Sequence, residues 1–172
     1  MAQGLDALIR EELVELLEIT AKDLIALDGT WFQSLEREQG MDTAMEHDRA
    51  AWRRFVPSEA RRLKKLLDLS DRCGLEGLAE ALPLRCTSLA NEWEILWEDD
   101  GAALVFRITD CRVQNARARK GMEFHPCKSV GELEYAGFAA ALDDRIRCEC
   151  ASCFPDVTDN TCNCAWRFRM EG

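Results

Sequence analysis

Hydrophobic positions in the first half of the chain recur at helical spacing. Leu5, Leu8, Ile9, Leu13, Leu16 and Leu17 predict one amphipathic helix. Thr20 followed by Asp23 reads as a capping box that opens a second helix, with Leu24, Leu27, Trp31 and Leu35 on one face and Gly40 as its stop. Asp42 is the expected N-cap of a third helix carrying Met45, Trp52 and Phe55. Pro57 disfavours helix at Val56, so Ser58 is expected to cap a separate helix through Ala60, Leu63 and Leu67. Cys73 and Gly74 lead into a short LEGLAEAL helix that Pro83 ends.

After Leu84 the period changes from helical to alternating. In EWEILW the residues Trp93, Ile95 and Trp97 share a face, Asp99-Asp100-Gly101 forms a turn, and ALVFRIT returns with Leu104, Phe106 and Ile108 alternating, which predicts a hairpin. VQNARARKG reads as a short helix closed by Gly121, and Ser129 with Glu132 as a capping box for a helix through Tyr135, Phe138 and Leu142. RIRCEC and CAWRFRM alternate again and predict two more strands. The expected fold class is therefore α+β: a helical segment over residues 1–83, packed on an α+β unit over residues 84–172 with a small antiparallel sheet, flanking helices and a Cys-rich metal site.

Composition narrows the function classes. A chain of 172 residues with 47% hydrophobic positions can bury a core without cross-links. A formal charge of −10 excludes phosphate-backbone binding as the main task, and the local strip of Arg49, Arg53, Arg54, Arg61, Arg62, Lys64 and Lys65 reads as a solvated helix face. The acidic, periodic N-terminus lacks the basic start of a signal peptide, and no apolar run reaches the roughly 20 residues of a membrane span. A cytoplasmic protein without nucleic-acid or membrane partners is expected.

Nine cysteines are the main chemical signal, and most of them fall in the last third of the chain. In a reducing compartment, closely spaced thiols favour metal ligation over disulfides. Cys150 and Cys153 have the CxxC spacing that aims two sulfurs at one ion, and an antiparallel return would bring Cys164 beside Cys150. Cys127, just ahead of a helix, is the expected fourth ligand. Cys111, Cys148, Cys162 and Glu149 are alternates, and zinc, an iron–sulfur cluster and free thiols all stay open. His125 with Cys127 is the only local base and thiol pair, so these two are the candidate catalytic residues. His47, between Glu46 and Asp48, reads as part of a solvated face.

The stretch from about Ala103 onward, with Cys127, the Cys150 to Cys153 turn and Cys164-Ala165-Trp166, resembles the 4-vinyl-reductase type of small-molecule-binding domain. That resemblance implies a structural zinc with one carboxylate ligand among comparable positions. Here Cys150 would replace the acidic ligand, with Glu149 beside it. The whole chain, including CRVQNARARKG, HPCKSVG and CASCFPD, is similar to a family of bacterial cytosolic proteins distantly like L-2-amino-thiazoline-4-carboxylate hydrolase-like proteins. The leading expectation is a zinc-tied domain that binds or senses a small, largely apolar molecule, with Trp93, Trp97, Phe106, Tyr135, Phe138 and Trp166 as candidate pocket residues. The alternative is a hydrolase of a small cyclic amide or thioimidate, or another thiol-dependent enzyme. A second copy of the chain is a candidate partner through the N-terminal amphipathic helices.

Overall fold

The structure, a computed structural model, describes residues 4–171. After a short turn of 3-10 helix, α1 (Arg10–Gln39) runs unbroken through Thr20. The expected cap at Thr20 does not form, because its hydroxyl donates back to the Leu16 carbonyl at 2.7 Å inside the helix. Ala21 and Ile25 pack against Ala90, and this contact carries the helix past the local stop signal. Gly40, at φ 86°, makes the one sharp corner and α2 (Met41–Leu66) follows directly.

Pro57 lies inside α2 and does not end it. A proline in a helix interior is unfavourable by about 3 kcal/mol. Burial of Val56, Glu59 and Ala60 on either side supplies the opposing term, so Ser58 caps nothing. Next come α3 (Gly74–Ala81), with Pro83 in the 3-10 turn just after it, then the hairpin β1 (Glu92–Glu98) and β2 (Ala103–Asp110). The hairpin faces match the alternation: Trp93 pairs with Ile108, Ile95 with Phe106 and Trp97 with Leu104.

The remaining elements are α4 (Arg112–Arg119), α5 (Lys128–Leu142), β3 (Ile146–Cys153) and β4 (Cys164–Met170). The four strands form one antiparallel sheet in the order β1-β2-β4-β3. Cys127, not Ser129, is the N-cap of α5, and Ser129 instead accepts a hydrogen bond from Arg49 at 3.3 Å.

One sheet face is covered and the other is solvated, as an antiparallel sheet allows. The covered face presents Leu104, Phe106, Trp166 and Phe168, which join Val56 and Ala60 of α2, Leu78 of α3 and Phe138 of α5 in one cluster. The N-terminal helices and the C-terminal sheet region therefore share a core. The outer face carries cross-strand charge pairs instead: Glu94 with Arg107, and Glu98 and Glu149 with Arg167. Arg85 is fully buried beneath α5, between Glu59 and Glu134 at 3.0 and 2.8 Å and over the rings of Tyr135 and Phe138.

Candidate functional site

Three helices and one sheet edge meet around the segment from Gly121 to Cys127. At its start, α4 supplies Gln114 and Arg117, both buried. Arg117 makes a two-pronged bond to Glu36 of α1 at 2.7 Å on each arm and also donates to the Glu123 carbonyl. That guanidinium holds the Glu36 carboxyl below its ordinary range, chiefly through the hydrogen bond itself. Gln114 clamps the backbone of His125 from both sides, its carboxamide accepting from the His125 N–H at 3.0 Å and donating to the His125 carbonyl at 2.9 Å.

His125 is thereby fixed in a buried position, its ring 4.5 Å from that of Phe32. Its two nitrogens face different partners. Nε2 lies 3.3 Å from Asp48 Oδ2, a buried carboxylate of α2, and Nδ1 lies 3.2 Å from Cys127 Sγ. A carboxylate on one ring nitrogen holds its proton there and leaves the other nitrogen free to accept one. The order Asp48, His125, Cys127 is therefore that of an orienting acid, a base and a thiol.

The Cys127 sulfur has two further neighbours. The second amide hydrogen of Gln114 points at it at 3.2 Å, and it sits at the N-cap of α5, where the helix dipole favours negative charge. The thiol also lies 3.2 Å from the His125 carbonyl, to which it donates when protonated. The Lys128 N–H bonds the Phe154 carbonyl at 3.1 Å, which ties the start of α5 to the end of β3.

Beside Cys127 are Cys153 and Cys164, which are paired directly across β3 and β4. The Cys153 thiol lies beside both Cys127 and Cys164. The Cys127 neighbour is the main cause that lifts the Cys153 thiol above its ordinary range, and contact with Cys153 followed by burial does the same for Cys164. Trp166 donates from Nε1 to Cys164 Sγ at 3.3 Å and stacks on Tyr135 at 4.7 Å.

These groups line a mostly apolar cavity of about 130 Å³. Ile25, Phe32, Trp52, Val130, Tyr135 and Trp166 contribute to its lining, as do Asp28, Asp48, His125, Cys127, Cys153 and Cys164. Burial, then repulsion from Asp48, pushes the Asp28 carboxyl up to about 6, against a smaller opposing effect of His125.

Of the aromatic residues expected to line a pocket, Tyr135 and Trp166 do so. Phe106 and Phe138 are fully enclosed core residues, and Trp93 and Trp97 are partly exposed on the edge strand. Among the nominated ligands, Cys127, Cys153 and Cys164 come together. Cys150 shares their sheet face, because the irregularity between Cys150 and Ser152 keeps Cys150, opposite Trp166, in phase with Cys153, opposite Cys164, but it does not line the cavity.

The alternates scatter. Cys111 caps α4 at the cavity wall with its thiol pushed up to about 11 by burial, and Cys148 packs on the core. Cys162 lies by Asp159, and Glu149 pairs with Arg167. Among the described residues, no group of three or more His, Cys, Asp or Glu side chains is arranged to hold a metal ion. As placed, the cysteines do not form the four-ligand set that zinc requires.

Sequence reasoning missed Asp48 and Gln114. Asp48 lies on the Ala44, Met45, Trp52 and Phe55 stripe of α2, and a carboxylate on an apolar stripe was the available signal. No described helix is long and apolar enough to cross a membrane.

Residues 6–170 match the model of the family described as "Family of unknown function (DUF6125)". The chain belongs to the DUF6125 family. No curated protein and no solved structure gives a significant match. Membership in DUF6125 assigns no reaction, so a functional reading of this family member rests on the chemistry of its own cavity.

Proposed function

We propose that this protein is a thiol-dependent enzyme that binds a small, largely apolar substrate and cleaves a carbon–nitrogen bond in it by hydrolysis. The observation that supports the reading is the chain Asp48, His125, Cys127 lining a mostly apolar cavity, with contacts of 3.3 and 3.2 Å. Cys127 Sγ attacks an amide carbonyl carbon while its proton passes to His125 Nδ1. Asp48 stabilises the imidazolium through Nε2. The proton then goes to the leaving nitrogen, the carbon–nitrogen bond breaks, and a thioester remains on Cys127. Water, deprotonated by His125, releases it and restores the thiol. The second Gln114 hydrogen and the α5 N-terminus are the groups positioned to offset negative charge developing beside the sulfur.

A small chloroacetamide probe tests this reading. Adduct formation should map first to Cys127 among the nine cysteines. Preferential labelling of any other cysteine in the folded protein contradicts the proposal.

A second reading keeps a structural zinc on Cys127, Cys153 and Cys164, with Cys150 moved in as the fourth ligand. The placement of Cys153 beside both Cys127 and Cys164 favours it. About one zinc per chain, found by elemental analysis of protein purified without added metal, would select this reading; iron with acid-labile sulfide would select a cluster instead.

A further inference from the structure

Hydrolysis by Cys127 has no use for a second thiol, yet Cys153 lies beside that residue and lines the same cavity. The backbone fixes this proximity. The residues that follow the two cysteines are joined by the Lys128 N–H to Phe154 carbonyl bond of 3.1 Å, so the N-cap of α5 and the last residue of β3 are held side by side. Cys127 has a base at 3.2 Å, whereas Cys164, the other neighbour of Cys153, has only the indole N–H of Trp166 at 3.3 Å and no base. The trio is therefore asymmetric: one thiol is equipped to react first, and one is placed to react with its product.

We propose that Cys127 is a site of reversible oxidation by hydroperoxides, with Cys153 as its resolving thiol. The Cys127 sulfur, its proton held by His125, attacks the terminal oxygen of a hydroperoxide. The oxygen–oxygen bond breaks, the alkoxide takes the proton from His125 and leaves as an alcohol, and Cys127 becomes a sulfenic acid. Cys153 Sγ then attacks the Cys127 sulfur. The hydroxyl departs with the Cys153 proton as water, and a Cys127–Cys153 disulfide remains. One hydroperoxide has accepted two electrons from two thiols, and an external dithiol returns them by exchange. The disulfide occupies the sulfur that hydrolysis needs, so oxidation switches the site off. The inference rests on Cys127 being the reactive thiol and is independent of whether the substrate is hydrolysed.

The test uses the full chain, treated with less than one equivalent of tert-butyl hydroperoxide, blocked with N-ethylmaleimide and digested without reduction. The expected product is a cross-linked peptide pair joining Cys127 to Cys153, two hydrogens lighter than the separate thiols and lost on treatment with dithiothreitol. In Cys153→Ser the sulfenic acid persists and takes up dimedone at Cys127, while Cys164→Ser still forms the disulfide. The wild-type map stands without either variant, should one fail to fold. A Cys153–Cys164 link, or a Cys127 sulfinic acid without any cross-link, overturns the proposal. If Cys127 alkylates readily yet no disulfide forms, only this inference fails. If the disulfide forms while a chloroacetamide prefers another cysteine, the hydrolytic reading fails instead.

Discussion

Two glycines of α5 offer a matched pair of substitutions with opposite expected signs. A Cβ on Gly131 would lie 2.3 Å from Trp166 Cζ2 and 2.6 Å from Cη2, distances at which something must move. Trp166 is fully buried, stacked on Tyr135 at 4.7 Å and bonded to Cys164, so its ring has no free direction. A Cβ on Gly137 would meet Val56 Cγ1 at 3.6 Å, an ordinary contact. Alanine is worth about 1 kcal/mol over glycine within a helix, and forced overpacking costs about 1–3 kcal/mol. Gly137→Ala should therefore stabilise by about 0.5–1 kcal/mol, and Gly131→Ala should destabilise by up to about 2 kcal/mol. For a chain of this size the melting midpoint moves roughly 2–4 °C per kcal/mol, giving a rise of about 1–4 °C for Gly137→Ala and a fall of up to about 8 °C for Gly131→Ala. Thermal unfolding followed by circular dichroism measures both, and near-ultraviolet signals should change only for Gly131→Ala. A Gly131→Ala midpoint equal to or above that of Gly137→Ala would refute the placement of Trp166 against the first turn of α5.

Other groups give separate expectations. Arg85→Met leaves Glu59 and Glu134 buried without their shared cation, and urea titration should show a loss of about 3–5 kcal/mol; a loss under about 1 kcal/mol contradicts the buried pairing. Asp28 holds its proton up to about 6, so the folded state binds that proton more tightly than the unfolded chain does, and stability falls as pH rises from about 4 to 6. Asp28→Asn should remove this slope and add about 1–2 kcal/mol at pH 7.5, with little effect at pH 4; equal effects at both values would refute the burial argument. The Asp143 carboxyl is held well below its usual range, first by its hydrogen bonds with Arg145 and then by the Gly74 and Arg145 N–H groups. Its contribution is complete at neutral pH and is lost as pH falls below about 4. Asp143→Asn should cost about 1–2 kcal/mol at pH 7, and the gap to wild type should shrink in titrations below pH 4.

Regular alternation made the sheet legible. β1 and β2 follow the period of two in EWEILW and ALVFRIT, and an acidic Gly-containing turn joins them, so nothing tertiary had to override the local pattern. The helices were legible in kind and misjudged in their limits. Thr20 and Pro57 carry genuine stop signals, and burial of Ile25 and Val56 outweighs them. The cysteine run was read as a CxxC turn, whereas Cys150 and Cys153 lie within a strand, and an irregularity that no spacing encodes puts them on one face of it. The short spacing of His125 and Cys127 hinted at chemistry. What gives that pair direction is Asp48, on a distant helix, and Gln114, whose clamp on His125 is a backbone contact that no spacing encodes.

The most direct test of the central claim is the second-order rate of Cys127 alkylation by iodoacetamide at pH 7, read by peptide mass spectrometry in wild type, His125→Ala and Asp48→Asn. With the imidazole at 3.2 Å placed as base and Asp48 behind it, Cys127 should be the fastest of the nine cysteines. Its rate should fall about 10-fold or more in His125→Ala and by less in Asp48→Asn, since general-base assistance is worth about 10²–10⁴ at most. A Cys127 rate unchanged by His125→Ala in a folded protein would contradict the claim.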